Sequence, residues 1–289
     1  MRILVTGGQG QLGVALQRAL SEHEVRALGH ADLDVTSAAA VSEAIELLHP
    51  EVVIHAAAWT DTAAAERDPA AALAVNGEGS GNVARACAAA GVPMAYVSSN
   101  EVFDGEKGAP YDEDDPTQAI NEYGRGKLAG EEAVRKAGGD FYIVRTSWLY
   151  GPGRTSFPEK IIERAQADGA LRGVTDEIAS PTWTGDLAPA LSTLVSTRRF
   201  GLYHLAGEGG CSRKEWAEEV MRLSGIGLPV KPALQADFDL PYRKPVDSTL
   251  ANHRAAALGI TLRPWREALA EHMRTPQITE LIAARAGQR

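Results

Sequence analysis

An apolar strand at the very start of the chain runs straight into a turn with glycine at every third position. Arg2-Ile3-Leu4-Val5 reads as the strand, and Thr6-Gly7-Gly8-Gln9-Gly10-Gln11-Leu12-Gly13 as the turn that opens a helix. This feature constrains the fold more than any other. Glycine at these positions allows a tight turn, close approach of the backbone to a pyrophosphate, and close packing of the helix on a sheet. The pyrophosphate then rests on the helix N-terminus, where unpaired N–H groups and the macrodipole favour negative charge. A dinucleotide site is therefore expected on Gly7, Gly10, Gln11, Leu12 and Gly13. The spacing alone recurs in ordinary turns; its position directly after the first strand gives it weight.

The first 150 residues alternate short β-branched runs with Ala-rich helical ones, the pattern of βαβ units around a parallel sheet. Strands are expected at Arg2–Thr6, Glu24–Leu28, Val52–His55, Met94–Ser98 and Tyr142–Thr146. Asp68-Pro69 supplies a cap and a first-turn proline for a helix running to about Ala90, where Gly91 and Pro93 stop it. After Gly151 the alternation becomes irregular, because Pro158, Pro181, Pro229, Pro232, Pro241, Pro245 and Pro264 break the chain into short pieces. Only Thr184–Ser196 and Gly201–His204 still read as helix and strand of the first unit. The expected class is α/β, a Rossmann-type doubly wound parallel sheet with a smaller C-terminal substrate-binding lobe. Residues 1–150, with 182–205 returning to them, are assigned to the NAD(P)-binding part; 151–181 and 206–289 are assigned to the lobe.

Composition narrows the partners. A net charge of −9 without any Lys/Arg-rich run argues against nucleic acid and membrane surfaces. An anionic cofactor remains compatible, since a few backbone N–H groups suffice locally. Cys87 and Cys211 lie far apart, so neither a disulfide framework nor a zinc site is expected. The seven histidines lack ligand spacing, and no catalytic metal is expected. No signal-peptide pattern or bilayer-length apolar run is read, so a cytoplasmic location is the default. A homodimer is compatible with the chain.

Tyr123 and Lys127 stand four residues apart in a helical stretch, which puts both side chains on one face. An ammonium nearby favours a phenolate, which is expected to bring the tyrosine towards neutrality as an acid or base. Ser99, with Ser98 as the alternative, ends the fourth strand at the sheet edge where doubly wound folds place ligands. Its hydroxyl can hold a carbonyl oxygen while Tyr123 protonates it. The second strand runs into Gly29-His30 with no acid at its tip. A carboxylate there would repel a 2′-phosphate, so its absence leans towards NADP over NAD. Asp32 and Asp34, slightly later, are placed beside the adenine, and Val35 is assigned with Asp34 to the cofactor.

These motifs together resemble the extended short-chain dehydrogenase/reductase family. The likeness continues through His55-Ala56-Ala57-Ala58-Trp59-Thr60, Val75-Asn76, Val102-Phe103-Asp104-Gly105, Tyr123-Gly124-Arg125, Lys127-Leu128-Ala129-Gly130-Glu131, Arg145-Thr146-Ser147-Trp148-Leu149-Tyr150-Gly151, Ser180-Pro181-Thr182, Tyr203-His204-Leu205-Ala206-Gly207 and Pro264-Trp265-Arg266-Glu267. The resemblance implies NAD(P)H-dependent reduction of the 4-keto group of a dTDP-6-deoxyhexulose, with Tyr123 as proton donor and Lys127 on the ribose. It places Ala56, Ala57, Ala58, Asn76 and Ser98 along the cofactor, and Asn100, Glu101, Trp148 and Arg243 along the substrate. Trp148 also fits plain core, and Arg243 a solvated surface.

Departures from the family pattern keep other readings open. Ser99-Asn100-Glu101 stands where such reductases carry Thr-Asp-Tyr, and Ala63-Ala64 where they carry Asp-Lys. Glu101 resembles the acid of sugar-nucleotide dehydratases, although Asn100 cannot supply the titrating proton that elimination also needs. The alternatives are an epimerase, a dehydratase or another ketoreductase of the family. A different class is a non-catalytic regulatory subunit resembling the β-subunit of methionine adenosyltransferase.

Overall fold

The computed structural model describes residues 1–286. Six strands form one parallel sheet: β1 (Arg2–Thr6), β2 (Glu24–Leu28), β3 (Val52–His55), β4 (Met94–Ser99), β5 (Phe141–Thr146) and β6 (Gly201–His204). Their order is β6-β5-β4-β3-β1-β2. β3 and β4 are buried along their whole length, as expected of parallel strands covered on both faces. The pleat of β1 divides its side chains between the two faces. Ile3 and Val5 join one apolar cluster with Leu12 and Leu16 of α1 (Gln11–Ala19). Leu4 joins a second cluster with Val41 and Ile45 of α2 (Ala38–Leu48) and with Val83 and Cys87 of α3 (Ser80–Ala90).

α4 (Glu122–Ala137) packs on that second face and carries the Tyr-Lys pair. Its glycines serve close packing. A Cβ on Gly124 would stand 2.1 Å from the Glu101 carbonyl oxygen, and one on Gly130 would stand 2.2 Å from the Tyr96 hydroxyl. The helix is also tied to the sheet by a buried ion pair, in which Arg145 Nε and Nη2 each donate to Glu131 at 2.8 Å. The first face carries α5 (Thr184–Ser196), which packs Leu187, Leu191 and Leu194 into the first cluster.

The helix read from Asp68-Pro69 forms and ends as expected. The Asp68 carboxylate accepts from the Ala71 N–H at 3.0 Å, and Gly91 closes the far end at φ 66. A feature absent from the sequence reading is a π turn at Ala74–Gly79, inside this helix. Such wide turns are rare and re-aim single side chains; here the residue inside it is Asn76.

A third apolar cluster, separate from the two faces of the sheet, gathers Tyr150, Trp216, Trp265 and Met273 from the second half of the chain. It sits on short strands and helices from Leu149 onward, consistent with the proline-broken sequence there. Cys87 and Cys211 are buried and free, and burial pushes the Cys87 thiol up to about 12. Among the described residues no helix is long and apolar enough to cross a membrane.

The chain leaves β1 outward to β2, then returns to lay β3 on the other side of β1. Strand order reverses there, and a crevice opens at the carboxyl ends of β1 and β3. Doubly wound sheets bind ligands at such a switch point.

Candidate active site

A cleft of about 710 Å³ occupies that crevice. Gly7, Gly10, Gln11, Leu12 and Gly13 line it from the first turn, and Asp34 and Val35 from the loop after β2. Ala56, Ala57 and Ala58 enter after β3, Ser98, Ser99, Asn100 and Glu101 at the end of β4, Tyr123 and Lys127 from α4, and Trp148 after β5. Residues spread over nearly 150 positions of sequence thus face one space.

The three glycines of the turn do different things. A Cβ on Gly7, at φ 73, would lie 2.6 Å from the Ala57 nitrogen, and one on Gly13 would lie 2.3 Å from the Gly7 carbonyl oxygen. Both keep the loops and the helix close together. A Cβ on Gly10 would meet only the Gly7 oxygen, at 3.2 Å. That contact is tight but single, and the rest of the surroundings of Gly10 belong to the cleft, at the N-terminus of α1.

Tyr123, Lys127 and Ser99 converge in the same cleft. The Ser99 hydroxyl accepts from the Glu101 N–H at 3.2 Å and stands close enough to Tyr123 to favour its phenolate. Burial, and then the charge of Glu101, nevertheless push the Tyr123 phenol up to about 12. The expectation of a tyrosine brought towards neutrality by Lys127 is therefore corrected. Lys127 is itself fully buried, its Nζ lies 4.3 Å from the centre of the Tyr96 ring, and burial lowers it to about 7. The phenol is held as a proton carrier, and the lysine holds its own proton only loosely.

Two expected site residues lie outside the cleft lining. The Asn76 side chain is fully buried beneath it. Its Oδ1 accepts from the Trp59 N–H at 2.8 Å, and its Nδ2 donates to the Trp59 carbonyl at 3.0 Å. Asn76 fixes the 56–60 loop instead of facing a ligand. Arg243 is exposed, and its carbonyl accepts from Asn121 Nδ2 at 3.0 Å. Its neighbour Lys244 turns inward and lines the cleft. Ser98 lines the cleft, while its hydroxyl donates to Glu131 Oε1 at 2.6 Å.

Three cations of the cleft were not read from the sequence: Arg154, Arg213 and Lys244. Arg154 Nη1 donates to Thr60 Oγ1 at 3.2 Å, and Lys244 Nζ donates to Thr62 Oγ1 at 3.0 Å. Both reach the loop that leads into Ala63-Ala64. The Arg213 guanidinium lies 3.5 Å from the centre of the Trp148 ring, and Trp216 stacks against that indole at 5.5 Å. Trp148 holds a left-handed backbone, φ 40, which is uncommon for a bulky residue and is met at functional sites.

A family model for the RmlD substrate binding domain matches residues 1–278. The chain belongs to this family. The dTDP-4-dehydrorhamnose reductase of Streptomyces griseus is 41% identical to it over 93% of this chain and 92% of its own length. A probable dTDP-4,6-dihydroxy-2-methyloxan-3-one 4-ketoreductase of Streptomyces antibioticus is 38% identical over 94% of both chains. The crystal structure of the Bacillus anthracis dTDP-4-dehydrorhamnose reductase in complex with NADP superposes with a TM-score of 0.91 at 32% identity, covering 94% of this chain and 98% of that one. In this RmlD-family chain the cleft beside Gly10, next to unpaired N–H groups of α1, fits a dinucleotide pyrophosphate.

Proposed function

We propose that this NAD(P)-dependent oxidoreductase reduces the 4-keto group of a dTDP-6-deoxyhexulose in nucleotide-sugar synthesis. The observation that carries the reading is the convergence of Ser99, Tyr123 and Lys127 on the cleft that the glycine turn opens. Reduction needs a hydride on carbon, which the dinucleotide supplies when bound, and a proton on oxygen. Tyr123 Oη supplies the proton, and its high affinity for protons keeps it loaded at neutral pH. The Ser99 hydroxyl orients the carbonyl oxygen beside it. Lys127, behind the tyrosine on the same helix face, holds the ribose. Gly10 and the first turn of α1 hold the pyrophosphate, and Asp34 and Val35 border the adenine. In the 151–181 and 206–289 lobe, Arg213 on Trp148, together with Lys244 and Arg154, presents positive charge to an anionic sugar nucleotide.

The cofactor preference is for NADP. Asp32, the first acid after β2, accepts from the Gly29 N–H at 2.9 Å and is not part of the cleft wall, and Asp34, which does line the cleft, is held by the Thr36 N–H and hydroxyl, so no carboxylate stands at the tip of β2 itself. His30 is at that edge of the cleft.

The test is oxidation of NADPH and of NADH, followed at 340 nm, with enzymatically generated dTDP-4-dehydrorhamnose. Rapid turnover with NADPH, and slower turnover with NADH, is expected. Absence of turnover with either cofactor, while titration shows that both bind, would move the activity to another keto sugar. Retention of tightly bound NAD through purification would instead favour an epimerase or dehydratase, which regenerate their cofactor.

A further inference from the structure

The residues that depart from the family pattern, Asn100 and Glu101, find their partners in one distant segment. The Glu101 carboxylate is ion-paired through Oε1 with Lys244 Nζ, and through Oε2 it accepts from Asn121 Nδ2 at 2.8 Å. Asn100 Nδ2 donates to Ser248 Oγ at 2.7 Å. Asn121 is the cap of α4, where its Oδ1 accepts from the Gly124 N–H at 2.8 Å, and its Nδ2 reaches the Arg243 carbonyl as well. Residues 243–248 are thereby tied both to the end of β4, which carries Ser99, and to the start of α4, which carries Tyr123. Glu101 and Lys244 face the cleft with Tyr123.

We propose that Glu101, held between Lys244 and Asn121 on the cleft wall that it shares with Tyr123, is a positioning residue for Tyr123, with Lys244 as its counter-ion. The inference rests on Tyr123 being the proton donor. A negative charge beside a phenol disfavours the phenolate, and a cation on that charge cancels part of the effect. In the structure the charge of Glu101 acts on Tyr123 in this sense, with burial the larger cause. The other charged and titratable groups around the pair are few. Arg154 acts on Tyr123 in the opposite sense, Lys127 lies one turn further along α4, and the Tyr242 ring sits 5.1 Å from Lys244 Nζ. The Glu177–Arg213 ion pair, at 3.0 Å, and the Asp61 carboxylate act on Tyr242. The neutral Asn100 adds no second carboxylate, so the negative charge acting on Tyr123 is that of Glu101, which Lys244 pairs and Arg154 opposes.

The experiment runs the reaction backwards, oxidising the alcohol product with NADP⁺ across a pH series, because oxidation needs the phenolate and its rate rises with pH below the phenol's pKa. Glu101→Gln should displace the rising limb to lower pH by on the order of one unit, and Lys244→Met should displace it to higher pH. The double variant should follow Glu101→Gln, since the cation then has nothing to neutralise. Glu101→Asp should return the limb towards the wild-type position. A purely structural role would lower turnover in both single variants without moving their limbs in opposite directions. Superimposed limbs, or displacement of both in the same direction, would overturn the inference. Tyr123→Phe runs alongside: wild-type oxidation in that variant would overturn the donor assignment itself, whereas its inactivity with unmoved limbs in the other variants would overturn this inference alone.

Discussion

In the proposed reaction Tyr123 acts through one atom, so its removal is the most direct probe at the scale of a residue. Tyr123→Phe should lower turnover by roughly 10²–10⁴-fold, the range for loss of a positioned acid. Cofactor affinity should be unchanged by titration, and near wild-type turnover would remove the residue from its role. Gly10→Val is the complementary probe, because the Cβ it adds meets the protein only at 3.2 Å and projects where the pyrophosphate is placed. Weaker NADPH binding in a normally folded protein is the expected outcome, and unchanged affinity would detach the turn from the cofactor. The glycine spacing, the Tyr-Lys pair and the strand-end serine could all be read from sequence because each has a fixed position on a periodic element. Arg243 could not be told from Lys244, since adjacent residues of an irregular segment point apart and nothing in the sequence says which points inward. The rise of the Tyr123 pKa was equally hidden, because it comes from burial and from a carboxylate 22 positions earlier in the sequence.

Elements that obey local rules were legible almost to the residue. β1, β2, β3, β6 and α5 form at the positions expected, while β4 gains Ser99 and β5 begins at Phe141. Apolar runs, caps and stop signals fix these elements from nearby residues alone. The π turn at Ala74–Gly79 was not legible, because its cause is tertiary: the wide turn brings Asn76 under Trp59, where both backbone groups of that residue need partners. Asn76→Ala removes both hydrogen bonds from the Trp59 backbone. It should lower stability by about 1–3 kcal/mol, the cost of leaving buried polar groups unpaired. It should also weaken cofactor binding, since Ala56, Ala57 and Ala58 belong to the loop that Asn76 secures. Denaturant unfolding and NADPH titration on the same sample check the two effects. Full stability combined with full affinity would show that the loop holds itself.

Across the whole molecule, the sheet order and the place of the cleft follow from the βαβ alternation, whereas the way the proline-broken half covers the sheet edge depends on long-range pairs such as Glu101–Lys244. Two histidines buried in the finished molecule tie its stability to pH. The His55 Nδ1 accepts from Thr6 Oγ1 at 2.6 Å, and its Nε2 donates to Ser80 Oγ, whose own proton goes to the Asn76 carbonyl. The His204 Nδ1 donates to the Ala251 carbonyl at 3.0 Å, and its Nε2 faces the Arg145 guanidinium. Both rings are neutral, and burial lowers His55 to about 3 and His204 to about 4, from an ordinary 6.5. Between those limits the unfolded chain binds protons that the folded chain refuses, so stability rises with pH there and is lost as pH falls below 6.5. Each ring should cost about 2 kcal/mol on going from pH 7 to pH 5. The carboxylates held low by hydrogen bonds and ion pairs, such as Glu131 and Asp104, lose their contribution only below their unfolded values of 4.5 and 3.8, so that window belongs to the histidines. His55→Gln keeps an acceptor and a donor at the same site without a titrating ring. Its midpoint in urea should therefore fall less between pH 7 and pH 5 than that of the wild-type protein, even if the variant is weaker at pH 7. Parallel declines for the two proteins would show that His55 is not the group taking up the proton.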